Sequence, residues 1–161
     1  MNNQPWWRGQ KGEWYVVVQF ILFGLIAIAP LLPGLPRWGT PWSILTLIIG
    51  LGLFLPGAAL VLSGLINLGR NLSPLPHPKE DAQMVETGAY KIVRHPIYSG
   101  IILGAIGYAL FTTSLLTLIL SFILFLFFDL KSRREETQLT HKFSQYAAYQ
   151  KRVKKLIPFI Y

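Results

Sequence analysis

Four long apolar runs, separated by short polar or proline-rich joints, constrain this chain more than any other feature. They cover residues 14–32, 42–68, 97–111 and 115–128. A helix crossing the hydrocarbon core of a bilayer needs about 20 apolar residues. Backbone in lipid must also satisfy its own hydrogen bonds, which favours helices. The first two runs have that length. The last two are shorter and are joined only by Thr112, Thr113 and Ser114, which predicts a tight helical hairpin. The expected fold is an all-α integral membrane protein with about four transmembrane helices, forming a single domain over residues 1–161. Composition agrees: 52% of residues are hydrophobic and 14% charged, against about 25% charged in a typical soluble domain.

The run 14–32 has some look of a secretory leader. Its length, and Pro30 directly after Ala27, Ile28 and Ala29, argue for a retained helix. Residues 129–153 form a polar stretch in which Leu139, Phe143, Tyr146 and Val153 recur at helical spacing. This predicts an amphipathic cytosolic helix that continues the fourth span and folds back over the membrane face. Its basic end, residues 151–155, would meet anionic lipid headgroups.

The net charge is +8, and its distribution is topological. With four crossings, every Lys and Arg except Arg37 falls on one side of the membrane. The positive-inside rule makes that side the cytosol and places both termini there, consistent with a prokaryotic plasma membrane. No basic stripe interleaved with aromatics stands apart from the membrane flanks, so nucleic acid is not an expected partner. Trp6, Trp7, Trp14, Trp38 and Trp42 lie at the ends of runs, as an interfacial belt would. Cysteine is absent, which excludes thiol chemistry and thiolate metal sites. His77, His95 and His141 lack neighbouring ligands in sequence, and no metal site is expected.

Gly50, Gly57 and Gly64 recur every seven residues, while Gly100 and Gly104 form a small-xxx-small pair beside Gly107. These positions suit close helix packing, within one chain or between two. Gly100 could alternatively clear space for a cofactor. The oligomeric state stays open.

Two polar clusters could carry chemistry. Arg94, His95, Pro96 and Tyr98 stand at the entry to the third run, with Pro96 suited to a first helical turn. Arg133, Arg134, Glu135 and Glu136 follow the fourth run. A hairpin would return both clusters to one membrane face.

The run GAYKIVRHPIYSG, residues 88–100, resembles the RHP-x-Y signature of the isoprenylcysteine carboxyl methyltransferase family. Residues 134–158, with their paired glutamates, the Phe143–Tyr146–Tyr149 spacing and a closing Leu-Ile-Pro, resemble its second block. Residues 69–78 resemble the polar loop of bacterial members. Ser144 stands where the family usually has glycine, and Ala89 where proline is common. The resemblance implies methyl transfer from S-adenosylmethionine to a lipophilic or prenylated acceptor. It implies donor binding by His95, Pro96, Tyr98, Gly100 and Glu136, with Tyr146 and Tyr149 matching the second-block tyrosines. Arg94, Glu135 and Glu136 become the candidate catalytic residues. Arg94 would hold an acceptor carboxylate by a forked contact. A carboxylate needs no general base, because it is already ionised near neutral pH. An amine acceptor, as in phospholipid N-methylation, would need one. A sterol-type reductase using a nicotinamide cofactor and a non-enzymatic membrane subunit are the readings from other classes.

Overall fold

A computed structural model of the protein describes residues 12–39 and 41–161. Trp6, Trp7, Arg8 and Lys11 lie outside the described residues. Five α-helices follow the apolar pattern: α1 (Glu13–Ile28), α2 (Trp42–Leu68), α3 (Pro96–Phe111), α4 (Leu115–Lys142) and α5 (Tyr146–Arg152). A short 3-10 turn, Ala29–Leu31, extends α1. Among the described residues there is no strand, so the protein is an all-α membrane protein. Glu13–Leu31, Trp42–Asn71 and Leu115–Lys142 are long and apolar enough to cross a membrane. With 16 residues, α3 reaches only about 24 Å at 1.5 Å per residue. Three helices therefore have spanning length, and the expected fourth is apolar but shorter.

Both ends of the bundle are tied by specific contacts. At one end, the loop after α1 meets the α3–α4 turn. Leu115 donates its backbone N–H to the Pro36 carbonyl at 3.3 Å, and Arg37 donates to the Pro30 carbonyl. Thr113 turns the hairpin in the left-handed region, at φ 53°. Ser114 then caps α4 by accepting the N–H of Thr117 at 3.3 Å. At the other end lie the start of α3, the distal part of α4, α5 and the C-terminal segment. The aliphatic and aromatic side chains left exposed on α1 and α2, such as Phe20, Ile44, Leu55 and Ile66, face outward as a lipid-facing surface requires.

The seven-residue glycine repeat packs within the chain. A Cβ on Gly57 would lie 2.7 Å from the Gly100 carbonyl oxygen, and one on Gly50 would lie 2.7 Å from that of Gly107. A Cβ on Gly64 would meet Ile97 at 2.8 Å. Helices α2 and α3 thus touch backbone to backbone. The α3 residues used are Gly100 and Gly107, seven apart like their partners. A Cβ on Gly104 meets nothing within 4 Å, although the Gly104 backbone N lies 2.9 Å from the Cβ position of Gly57, so within the 100/104 pair only Gly100 would clash if given a side chain.

The polar stretch after the fourth apolar run departs from the single helix expected over 129–153. Helix α4 runs without a break to Lys142, Phe143 leaves helical geometry, and α5 begins at Tyr146. Lengthening α4 carries residues 129–142 beyond the apolar run, and the break lets α5 turn back onto the bundle. Ser144 sits in this break without a positive φ, so serine is accommodated where the resemblance suggests glycine. Lys155 also differs from expectation. It is buried and ion-paired with Asp129, while Lys151, Arg152 and Lys154 stay exposed.

Gly57→Leu should lower the melting temperature in detergent markedly, since overpacking of this kind costs about 1–3 kcal/mol. Gly104→Ala should leave it unchanged. Equal melting temperatures for the two variants would contradict the close α2–α3 contact.

Candidate functional site

The local sequence begins the site. His95 is the N-cap of α3 and Pro96 its first helical residue. The preceding backbone pairs with the C-terminal segment: Arg94 N–H donates to the Lys154 carbonyl at 2.8 Å and His95 N–H to that of Lys155 at 3.2 Å. The Ser99 hydroxyl donates to the Leu156 carbonyl at 2.6 Å. From α5, the Tyr149 hydroxyl donates to the Tyr90 carbonyl at 2.6 Å. These bonds hold the 94–98 segment in one place before any ligand is considered.

The α3–α4 hairpin then brings the two polar clusters together. Arg94 grips Glu136 with two donors, Nε to Oε1 at 2.7 Å and Nη2 to Oε2 at 3.2 Å. Each side chain is only 10% exposed. Glu136 also accepts from Gln150 at 2.9 Å and lies 3.0 Å from His95 Nε2. Arg94 Nη1 donates to the Gln150 carbonyl at 3.0 Å and to that of Val153. Both partners are therefore engaged. The fork expected to hold an acceptor carboxylate is closed on Glu136.

Glu135 is arranged differently. Adjacent residues on a helix point about 100° apart, and Glu135 borders a cavity of about 280 Å³ that Glu136 does not line. The Tyr98 hydroxyl donates to Glu135 Oε2 at 2.8 Å, and His95 Nδ1 lies 3.8 Å from the same oxygen. Three rings stack beside it. His95 and Tyr98 lie 5.4 Å apart at 3°, and Tyr98 and Phe128 lie 4.5 Å apart at 8°. The cavity is also walled by Tyr90, Tyr146 and Tyr149, and by the polar loop that includes Ser73 and Met84. Burial, reinforced by nearby carboxylates, holds the phenols of Tyr90, Tyr146 and Tyr149 well above the ordinary tyrosine range. They remain neutral near pH 7 and serve as surfaces and hydrogen-bond donors.

Of the residues singled out from sequence, Arg94, His95, Tyr98, Glu135, Tyr146 and Tyr149 line this cavity. Pro96 and Gly100 do not; they pack against α2, where a Cβ on Gly100 would lie 2.4 Å from the Gly57 carbonyl oxygen. Two features went unrecognised in the sequence. Lys131 lines the cavity and is buried; a lysine directly after an apolar run reads as a membrane-edge anchor. The loop over residues 71–85 forms one wall, which polar composition alone does not reveal.

An apolar groove of about 250 Å³ runs between α1, α3 and α4, lined by Phe23, Ile26, Gly104, Tyr108 and Leu124 among others. Ile101 lines both the groove and the cavity.

The bundle of apolar helices thus carries a buried Arg–Glu clasp and a tyrosine-walled cavity at one end. Residues 45–146 match the family described as phospholipid methyltransferase, more than half of the chain. The chain belongs to this family. It is 30% identical over 152 residues to the cobalt-zinc-cadmium resistance protein CzcN of Cupriavidus metallidurans, covering 94% of this chain and 64% of that protein. It is 32% identical over 114 residues to the protein-S-isoprenylcysteine O-methyltransferase of Schizosaccharomyces pombe, covering 68% and 48%. With the same-named protein of Saccharomyces cerevisiae it shares 39% over 84 residues, covering 51% and 35%. The chain spans less than two thirds of the length of each of these relatives.

Glu136→Gln should destabilise the protein strongly, because it leaves the Arg94 guanidinium buried without its counter-ion. Removing one partner of a buried pair costs about 3–5 kcal/mol. Thermal unfolding in detergent checks this, and Arg94→Met/Glu136→Met together should recover part of the loss. A single variant as stable as wild type would remove the clasp from the account.

Proposed function

We propose that the protein transfers a methyl group from S-adenosylmethionine to a lipophilic acceptor at the membrane–cytosol boundary, with a prenylcysteine-like or other lipid carboxylate as the acceptor. The supporting observation is that Glu135, His95 and Tyr98 converge on one cavity at the end of a membrane hairpin, with an apolar groove that shares Ile101 with it. The two yeast relatives are named as isoprenylcysteine O-methyltransferases, which favours the carboxylate. The sterol-type reductase and the non-enzymatic subunit have no comparable support. The charge bias along the chain favours a cytosolic cavity mouth and cytosolic termini.

The residues present suit the donor chemically. The neutral tyrosines and stacked rings offer apolar faces and hydroxyls to a nucleoside, and the Glu135 carboxylate offers an acceptor to an ammonium or to ribose hydroxyls. When bound, S-adenosylmethionine supplies an electrophilic methyl group on a sulfonium. Glu135, held by Tyr98, orients the ligand. Arg94, at the cavity wall with its fork closed, and Glu136 behind it keep His95 and the α3 entrance in register. Leu139, Phe143 and the polar loop shield the cavity from water. Catalysis is then largely positioning. His95, held by Glu136 through Nε2, the Glu135 carboxylate and His77 all border the cavity, so the preference for a carboxylate acceptor rests on the yeast relatives and not on a missing base. A carboxylate acceptor is already ionised near neutral pH, whereas an ammonium must first lose a proton.

The groove supplies the route for the acceptor tail, and Gly104 leaves it open.

The detergent-solubilised protein should bind S-adenosylhomocysteine and should move labelled methyl onto prenylcysteine analogues. Glu135→Gln should weaken donor affinity by about 10- to 100-fold, the range for a lost charged hydrogen bond, with little change in melting temperature. Failure of the wild type to bind S-adenosylhomocysteine or to label any lipid would overturn the proposal. Gly104→Leu, which fills the groove, should raise KM for long-chain acceptors and spare donor affinity. Unchanged KM across chain lengths would exclude the groove as the tail site.

A further inference from the structure

Lys131 is a buried cation that the mechanism above does not use. It is 1% exposed and lines the cavity. Its Nζ donates to Gln19 Oε1 at 2.6 Å and to the Pro74 carbonyl at 3.0 Å, and it stands 5.3 Å from the Tyr98 ring centroid. Both hydrogen-bond partners are neutral. Among the described residues no carboxylate lies within 4 Å of it. The other buried cations have counter-ions: Arg94 has Glu136, and Lys155 has Asp129.

A buried ammonium is costly unless paired. An ammonium also has three N–H donors, and two are used here. Gln19 on α1, Pro74 in the polar loop and the Tyr98 ring on α3 fix the head group from three sides. A charge held this firmly at a cavity wall, on which the Glu135 carboxylate acts only from beyond ion-pair distance, is the arrangement of an anion-binding group. Arg94, the other basic side chain of Lys or Arg type at the wall, has its fork closed on Glu136, which leaves the anion to Lys131.

Resting on the methyltransferase reading above, we propose that Lys131 is the residue that binds a ligand carboxylate in this cavity. Both the donor's amino-acid end and a lipid acid acceptor carry a carboxylate, so the same contact could serve either. With Glu135 beside it on α4, the wall offers one cationic and one anionic group. That pair complements a zwitterionic amino acid, or divides between donor and acceptor.

The test compares ligands as well as variants, in the full-length protein in detergent. S-adenosylhomocysteine is titrated against its carboxamide analogue, and a prenylcysteine acid against its carboxamide as a competitor of methyl transfer. For at least one pair, the wild type should prefer the acid by about tenfold or more, as a charge-assisted hydrogen bond implies. Lys131→Gln should abolish that preference and Lys131→Arg should retain most of it. Preference confined to the homocysteine pair assigns the contact to the donor; preference confined to the prenylcysteine pair assigns it to the acceptor. A merely structural lysine would lower affinity for acid and amide alike. Equal affinities within both wild-type pairs overturn the proposal whether or not the variants fold, as does a folded Lys131→Gln protein that keeps the preference. A wild type that binds no S-adenosylhomocysteine at all sinks the methyltransferase reading, and this proposal with it.

Discussion

The buried clasp between Arg94 and Glu136 is the interaction on which the rest of the site depends. One guanidinium and one carboxylate join the entrance of α3, the distal half of α4, α5 through Gln150, and the C-terminal segment through Val153. Such a pair is expensive to desolvate, and its mutual attraction offsets that cost only when the remaining lone pairs and protons find partners. Here they do: no buried side-chain polar atom among the described residues is left without a partner. The clasp is therefore weak evidence for stability in itself. Its effect is geometric, since it determines where His95 and Tyr98 stand and so what borders the cavity.

The membrane part supplies the other constraint. Lipid offers no hydrophobic gain for bringing two apolar helices together, so close approach depends on shape. The glycine faces of α2 and α3 provide it, with backbone against backbone at Gly50–Gly107 and Gly57–Gly100. Locking α3 to α2 leaves the opposite face of α3 available to α4, the cavity and the groove. A short α3 also matters. Its entrance and the polar continuation of α4 meet at the bundle's end, where a polar ligand and an apolar chain can approach from different sides.

The two neighbouring glutamates show how a helix divides labour. Separated by one residue step, Glu136 turns into the protein and is consumed by structural partners, while Glu135 turns to the cavity with Tyr98. Lys131 lies one turn earlier on the Glu135 side of α4. The α4 groups that border the cavity are thus a small set on one helical face, backed by the Arg94–Glu136 network.

Apolar run length and proline placement were enough to determine the helices. Residues 42–68 and the start of α3 at Pro96 follow from those signals alone, because lipid-facing helices are dictated by local composition. The pairing of the RHP-x-Y segment with the paired glutamates was also legible, since a three-residue turn can only return the chain beside itself. Tertiary structure decided the rest. Whether Gly100 meets a cofactor or Gly57 depends on the rotation of α3 about its axis, which composition does not set. The break after Lys142 interrupts an unbroken helical periodicity, because α5 gains more by packing Tyr146 and Tyr149 than by extending α4. Which glutamate faces the cavity, and whether Lys131 and Lys155 anchor at the membrane or turn inward, are matters of partners far away in sequence. A charged side chain reads as solvated until the fold supplies the group that allows its burial.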